Sequence, residues 1–98
     1  MSSREIQFRF DFSRQCEKFL GKNAHVLDKE TVKTLIADAI LTMHGKRISS
    51  VDVKRLKGEF ADCFRIRKGN IRIIFRYENG EIIVVLVTAI GFRGNVYE

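Results

Sequence analysis

The sequence predicts a single α+β domain spanning residues 1–98, with two N-terminal helices packed on a four-stranded, largely antiparallel, twisted sheet. Three observations predict this class. Apolar residues alternate with polar ones in four short segments, which is typical of half-buried strands. They recur at helical spacing in two segments that follow the first of those strands. The chain has 98 residues and is therefore too short for two domains. Of these residues, 45% are hydrophobic, which is enough for one core. The predicted order is therefore β-α-α-β-β-β.

The first strand and the first helix follow one another closely. The segment Arg4–Phe10 alternates with a period of two and places its apolar side chains on one face. A short helix follows, with Asp11 or Ser13 as its N-cap and Gly21 at its end. Its apolar stripe consists of Phe12, Cys16, Phe19 and Leu20. We expect Cys16 to be a small core residue on that stripe.

The second helix has the clearer signals. Asp28 is a favourable N-cap, Glu30 places a negative charge in the first turn, and Gly45 ends the helix. One apolar stripe runs along it, formed by Val32, Leu35, Ile36, Ala39, Ile40 and Met43. The segment Arg47–Gly58 then reads as a polar connection.

Three strands complete the sheet. Cys63–Arg67 alternates strictly, and the pair Gly69–Asn70 separates it from the next strand, Ile71–Tyr77. Asn79–Gly80 is a preferred hairpin turn, and Glu81–Thr88 is the last strand. Because that last strand is apolar on both faces, we expect it to lie in the middle of the sheet, and the first strand to pair beside one of the later three.

Composition and motifs exclude several classes of protein. No stretch approaches the roughly 18 apolar residues of a membrane-spanning helix, and the first residues open no signal peptide. Cys16 and Cys63 are isolated, which predicts a reduced, cytoplasmic protein. His25 and His44 lie far apart and away from other ligand residues, so we predict no metal site. No glycine-rich phosphate loop or nucleophile motif is present, and we predict no cofactor.

Positive charge concentrates on the predicted strands. The chain has 18 Lys and Arg against 12 Asp and Glu, a net charge of +6, which favours a polyanionic partner. Arg65 and Arg67 project from one face of a strand, roughly 6–7 Å apart, and Arg72 lies on the neighbouring strand. Arg93 lies between two glycines beyond the last strand, and Tyr97 is the penultimate residue. Guanidinium groups stabilise a phosphorane-like transition state, and nearby positive charge lowers the pKa of a phenol. The set fits phosphodiester cleavage, although arginines on solvated strand edges also serve solubility alone.

The second half of the sequence resembles the RelE branch of the RelE/ParE toxin superfamily. The resemblance covers about the last 45 residues and is carried by Arg55–Gly58, Cys63–Arg67, Ile71–Phe75, Ile90–Arg93 and Val96–Tyr97. In the first half only the architecture matches, a short strand followed by a helical hairpin. The resemblance implies the toxin of a toxin–antitoxin pair, a metal-independent endoribonuclease (mRNA interferase) that cleaves mRNA in the ribosomal A site. It further implies attack of the 2′-OH on the adjacent phosphate, which leaves a 2′,3′-cyclic phosphate and inhibits translation.

The resemblance also implies a catalytic role for five residues. Arg65 and Arg67 match family lysines or arginines that stabilise phosphate charge and help to activate the nucleophile. Arg72 matches the strand arginine that holds the scissile phosphate. Arg93 matches the residue that stabilises or protonates the leaving oxygen, and Tyr97 matches the C-terminal tyrosine proposed as the base.

The implied partners are a ribosome, its mRNA and a cognate RelB-like antitoxin, with no membrane and no small-molecule cofactor. Four further basic residues are predicted to contact the RNA backbone, namely Lys54, Arg55, Lys57 and Lys68. The sequence leaves two other functions open. One is a ParE-like inhibitor of DNA gyrase, which uses the same fold without hydrolysis. The other is a catalytically inactive, basic RNA-binding protein with a toxin-like fold.

Overall fold

The computed structural model describes residues 6–46 and 50–94 and confirms the predicted α+β class, with two helices on one face of a sheet. The elements are β1 (Gln7–Phe12), α1 (Arg14–Lys22), α2 (Lys29–Met43), β2 (Asp52–Arg55), a 3-10 turn (Gly58–Phe60), β3 (Phe64–Lys68), β4 (Ile71–Glu78) and β5 (Ile82–Phe92). The spatial order of the strands is β1-β5-β4-β3-β2. β1 runs parallel to β5, and the other neighbours are antiparallel. No helix in the described ranges is both long enough and apolar enough to cross a membrane.

The predicted strand count of four is wrong, because residues 6–46 and 50–94 already form a sheet of five strands. The additional strand, β2, lies within the segment that was predicted to be a polar connection. It pairs with β3 at the edge of the sheet, where Val53 lies opposite Ile66. Its alternation of apolar and polar residues covers only Val51 to Lys54, and an alternation this short does not by itself separate an edge strand from a loop.

The N-terminal strand and first helix are joined by a capping residue. The described part of β1 begins at Gln7, and the predicted start at Arg4 lies outside the described residues. Ser13 is the N-cap of α1, as predicted, and its Oγ accepts a hydrogen bond from the Cys16 backbone N–H at 3.2 Å. The same hydroxyl donates to the Thr88 carbonyl at 2.9 Å, so the cap also fastens α1 to β5.

The second helix begins and ends close to the predicted residues. The Asp28 carboxylate accepts from the Thr31 backbone N–H at 2.8 Å, and this hydrogen bond lowers the pKa of Asp28. The helix ends at Met43, and Gly45 follows with a φ of +72°, a conformation that glycine adopts without steric cost.

The core lies between the two helices and one face of the sheet, which we call the helix face. Helix α1 contributes Cys16, which is fully buried as expected and contacts the Val87 carbonyl through Sγ at 3.4 Å. From the predicted stripe of helix α2, Val32, Ile36, Ala39 and Ile40 are fully buried and Leu35 packs against them. Met43, at the end of the helix, is exposed, so its predicted place in the core is wrong. The sheet supplies Ile66, Ile73, Phe75, Ile83, Val85, Val87 and Ile90.

β5 lies between β1 and β4, which confirms the predicted central position, and it extends four residues beyond its predicted end. A bulge at Thr88 interrupts the alternation at the predicted end of the strand. Ile74 pairs with Ala89 and Phe75 pairs with Val87, so Thr88 has no partner residue across the strands, and its Oγ1 donates to the Ile74 carbonyl at 3.1 Å. The extra residue reverses the alternation, because Ile90 then faces the core and Gly91 lies opposite Arg72 on the other face.

Candidate functional site: an arginine cluster on the sheet

Three of the predicted catalytic residues lie side by side on the sheet face opposite the helices. Arg65 and Arg67 are on β3, and Arg72, on β4, lies directly opposite Arg67. In the same cross-strand row, Asp52 of β2 lies opposite Arg67, and Gly91 of β5 lies opposite Arg72. Adjacent strands are about 4.8 Å apart, so this row spans four strands within a short distance. We call the surface formed by Asp52, Lys54, Arg65, Arg67 and Arg72 the arginine face.

One carboxylate links two of these guanidinium groups. Oδ2 of Asp52 accepts from Nε of Arg67 at 2.8 Å, and Oδ1 accepts from Nη2 of Arg65 at 3.2 Å. The hydrogen bond from Arg67 lowers the pKa of Asp52, partial desolvation opposes this, and the charges of Arg67, Arg65 and Arg72 lower it further. Asp52 is therefore an anion within a cluster of cations.

Asp52 is not among the residues that the sequence predicts for the site, because the sequence predicts a polar connection over Arg47–Gly58. A signal was present, since Val51 and Val53 alternate with Asp52 and Lys54. Treating that alternation as a strand would have placed Asp52 and Lys54 on one face. The pattern would not have shown that this face is the one that carries the arginines.

The three arginines differ in burial and in how firmly they are held. Arg65 and Arg72 are each only 8% exposed, whereas the Arg67 side chain is 51% exposed. Nη1 of Arg72 donates to the carbonyls of Gly69 and Ile71, at 2.9 and 3.2 Å. Two guanidinium groups are thus fixed in the surface while a third extends into solvent.

The burial of Arg65 leaves one donor without a partner. Its Nε is buried and has no hydrogen-bond partner among the described residues. Burying a charged group that has an unused donor lowers the stability of the fold unless an anion lies nearby. For Arg65 that anion is Asp52. The site is therefore electropositive, partly desolvated and rich in forked N–H donors, which is the chemistry that recognises a phosphate.

The fourth predicted arginine lies at the same end of the sheet. Arg93 follows the last residue of β5, and its backbone N–H donates to the Asn70 carbonyl at 2.7 Å. That bond joins the segment carrying Arg93 to the β3–β4 turn, whose Gly69 carbonyl is held by Arg72. Arg93 is exposed. The fifth predicted residue, Tyr97, lies outside the described residues.

The four basic residues predicted to contact RNA do not share one surface. Lys54 lies opposite Arg65 on the arginine face. Arg55, the next residue of β2, lies on the other face, where Nη2 is 3.8 Å from Oδ1 of Asp62. Lys57 lies after β2 and immediately before the 3-10 turn. Lys68 follows Arg67 on β3 and therefore lies on the opposite face of the sheet. The structure thus brings Lys54 alone of the four to the arginine cluster.

A separate cleft lies where β4 extends beyond β3. Nε2 of His44 and the hydroxyl of Tyr77 are 2.9 Å apart at a cavity of about 540 Å³. Burial raises the pKa of Tyr77, and the charge of Arg55 partly offsets this. The charged lining is mixed, with Arg55 and Arg76 against Asp62 and Glu78. The sequence does not predict the contact between His44 and Tyr77, because 33 positions separate the two residues.

The described residues hold no group of three or more His, Cys, Asp or Glu side chains that could bind a metal ion.

The architecture is similar to that of several solved structures. Similar solved structures include a YafQ mutant from E. coli, with a TM-score of 0.59, 13% identity, and coverage of 88% of this chain and 93% of the other. They also include the toxin–antitoxin complex RelBE2 from Mycobacterium tuberculosis, with a TM-score of 0.53, 21% identity, and coverage of 90% and 100%. No family model and no curated protein matches the sequence. The similarity therefore lies in the fold, and the expected RelE-like architecture is confirmed.

Proposed function

We propose that this protein is the toxin of a toxin–antitoxin pair and acts as a ribosome-dependent endoribonuclease on mRNA in the ribosomal A site. The observation that carries the proposal is the arginine cluster, in which Arg65, Arg67 and Arg72 lie together on two paired strands. Two of the three are 8% exposed and fixed in place, which is the preorganisation that stabilises charge developing in a transition state. The fold shared with RelBE2, a toxin–antitoxin complex by its description, supports the toxin role.

The proposed reaction is an internal displacement at phosphorus. The 2′ oxygen of one nucleotide forms a bond to the adjacent phosphorus while the bond to the 5′ oxygen of the next nucleotide breaks. The proton leaves the 2′-OH and another is delivered to the 5′ oxygen, giving a 2′,3′-cyclic phosphate and a 5′-OH. The negative charge that builds on the non-bridging oxygens is stabilised by forked hydrogen bonds from Arg65, Arg67 and Arg72.

The proton transfers are assigned to groups at the end of β5. We propose Tyr97 as the base and Arg93 as the group that stabilises or protonates the leaving oxygen, while Lys54, Arg55, Lys57 and Lys68 contact the RNA backbone. The structure supports Arg93 through its backbone bond to the β3–β4 turn beside Arg72. Because arginine keeps its proton in proteins, Arg93 acts on the leaving oxygen mainly through its charge. The proton that the 5′ oxygen takes up is then supplied by the Tyr97 phenol, which has received the 2′-OH proton, or by water.

The proposal includes a cytoplasmic setting and an antitoxin that silences the toxin. A chain with a net charge of +6 and a basic surface fits an acidic, partly disordered partner that folds over it. The similar structure of RelBE2 is that of a toxin–antitoxin complex by its description.

The test is cleavage of a defined mRNA in a translating extract. We expect the wild type to cut mRNA on ribosomes, and Arg72→Ala and Tyr97→Phe to cut far more slowly. Arg76→Ala is the matched control, since Arg76 is an exposed arginine farther along β4. Equal cutting by the wild type and both active-site variants would remove the mechanism. Intact mRNA together with inhibition of purified DNA gyrase would replace it with the ParE-like function.

A further inference from the structure

We propose that Asp52 is a positioning residue that holds the guanidinium groups of Arg65 and Arg67 in the geometry needed to receive one phosphate. This inference rests on the proposed function and adds to it a residue of β2, the strand that the sequence pattern did not reveal. Asp52 acts through the arginines and does not itself contact the reacting atoms.

The hydrogen-bonding pattern shows how one carboxylate serves two arginines. Its two oxygens are used separately, Oδ2 for Nε of Arg67 at 2.8 Å and Oδ1 for Nη2 of Arg65 at 3.2 Å. Both side chains are therefore tied to one rigid group that is itself on a strand paired with theirs. A free arginine side chain populates many rotamers, and holding it in one of them removes that ordering cost from the cleavage step.

The atom that Asp52 uses on Arg67 leaves the useful donors available. Asp52 accepts from Nε of Arg67, so Nη1 and Nη2 of Arg67 remain available to a ligand. These two nitrogens have no hydrogen-bond partner among the described residues. With the side chain 51% exposed, those two nitrogens form a fork that is open to solvent. A fork of this kind donates two parallel hydrogen bonds to phosphate oxygens.

Charge balance explains why the carboxylate is needed. Arg67 and Arg72 lie directly opposite one another on paired strands, an arrangement that repels like charges. Arg65 beside them is buried. A single negative charge next to this row offsets the repulsion, and without it the exposed Arg67 side chain is free to turn away from its neighbours.

The positioning role predicts opposite effects on binding and on chemistry. Replacing the carboxylate by an amide removes a negative charge from the site, so a bare anion binds more tightly. It also releases the arginines from their fixed geometry, so the cleavage step becomes slower. A residue needed for folding alone would lower both quantities together, and a residue without a role would change neither.

The experiment compares wild type, Asp52→Asn and the matched control Asp62→Asn. Asp62 lies 3.8 Å from Arg55, outside the arginine face, and its loss changes the net charge by the same amount. Inorganic phosphate is titrated while the Arg side-chain Nε–H signals are followed by NMR, and single-turnover cleavage of ribosome-bound mRNA is measured in parallel.

We expect Asp52→Asn to bind phosphate about threefold to tenfold more tightly, as removal of one charge at this range predicts. We expect its cleavage rate to fall by at least tenfold, since small misplacements of catalytic groups are costly. Asp62→Asn should match the wild type in both. Unchanged or faster cleavage by Asp52→Asn overturns the inference and leaves the proposed function standing.

Two further outcomes also decide whether Asp52 has a positioning role. If Asp52→Asn does not fold, Asp52→Glu carries the test, because it keeps the charge and moves the carboxylate by one methylene group. Its phosphate affinity should stay as in the wild type while cleavage slows, and wild-type cleavage overturns the inference. If the wild type itself leaves ribosome-bound mRNA intact, the proposed function fails and the positioning role fails with it.

Discussion

Replacement of Arg72 by lysine separates charge from geometry at the arginine face. Arg72 is 8% exposed and its Nη1 donates to two carbonyls of the β3–β4 turn, so the guanidinium is fixed before any ligand arrives. Lysine keeps the positive charge and lacks the planar fork that spans the turn and a phosphate together. Removing one preorganised donor from a site of this type slows the chemical step by about 10²-fold, or roughly 2.7 kcal/mol in the barrier.

The assay must distinguish lost chemistry from lost folding. Removing the guanidinium leaves the Gly69 and Ile71 carbonyls without their charged donor, which costs about 1.5–3 kcal/mol of stability. Single-turnover cleavage is therefore measured at a temperature at which circular dichroism shows each variant to be folded. Arg76→Lys is the control, as it lies four residues along the same strand, about 13 Å away. An Arg72→Lys protein that is folded and cleaves as fast as the wild type would refute the reasoning.

Three further predictions concern the framework around the site. Ser13→Ala removes the α1 cap and should lower the free energy of unfolding by about 1 kcal/mol in urea denaturation; an unchanged midpoint would contradict the capping role. The Gln15 amide donates to the Ile90 carbonyl at 2.6 Å and accepts from its N–H at 2.9 Å, so Gln15→Leu should cost about 1–3 kcal/mol, and a loss near zero would show that water replaces it. Because the pKa of Asp52 is lowered on folding, its stabilising contribution is present above about pH 4 and is lost as the pH falls below that value. The difference in stability between wild type and Asp52→Asn should shrink over that range, and a constant difference would contradict the ion pair.

The elements with long, regular patterns were predictable from sequence. The stripe of α2 and its Asp28 cap, the Ser13 cap of α1 and the central position of β5 all follow from local periodicity and chemistry. The prediction that Arg65, Arg67 and Arg72 lie near one another needed only strand alternation and one tight turn. Such features depend on neighbours in the chain, and local rules suffice for them.

The remaining features depend on contacts between distant segments. β2 is defined by its pairing with β3, and Asp52 meets Arg67 across 15 positions of sequence. The bulge at Thr88 reverses the phase of β5 and cannot be recognised until β4 is placed beside it. The parallel pairing of β1 with β5 joins the two ends of the described chain. No window of ten residues decides any of these features, because each depends on contacts with a segment that is distant in the sequence.

The most direct test of the arginine face is the single-turnover cleavage of ribosome-bound mRNA by Arg67→Gln, with chemical analysis of the product ends. Arg67 is half exposed, so its replacement leaves the core untouched. We expect wild-type products that end in a 2′,3′-cyclic phosphate and begin with a 5′-OH, and a rate for Arg67→Gln that is about 10²-fold lower. Products with a 3′-OH and a 5′-phosphate, or a variant that cuts at the wild-type rate, would contradict the assignment of this surface to phosphodiester cleavage.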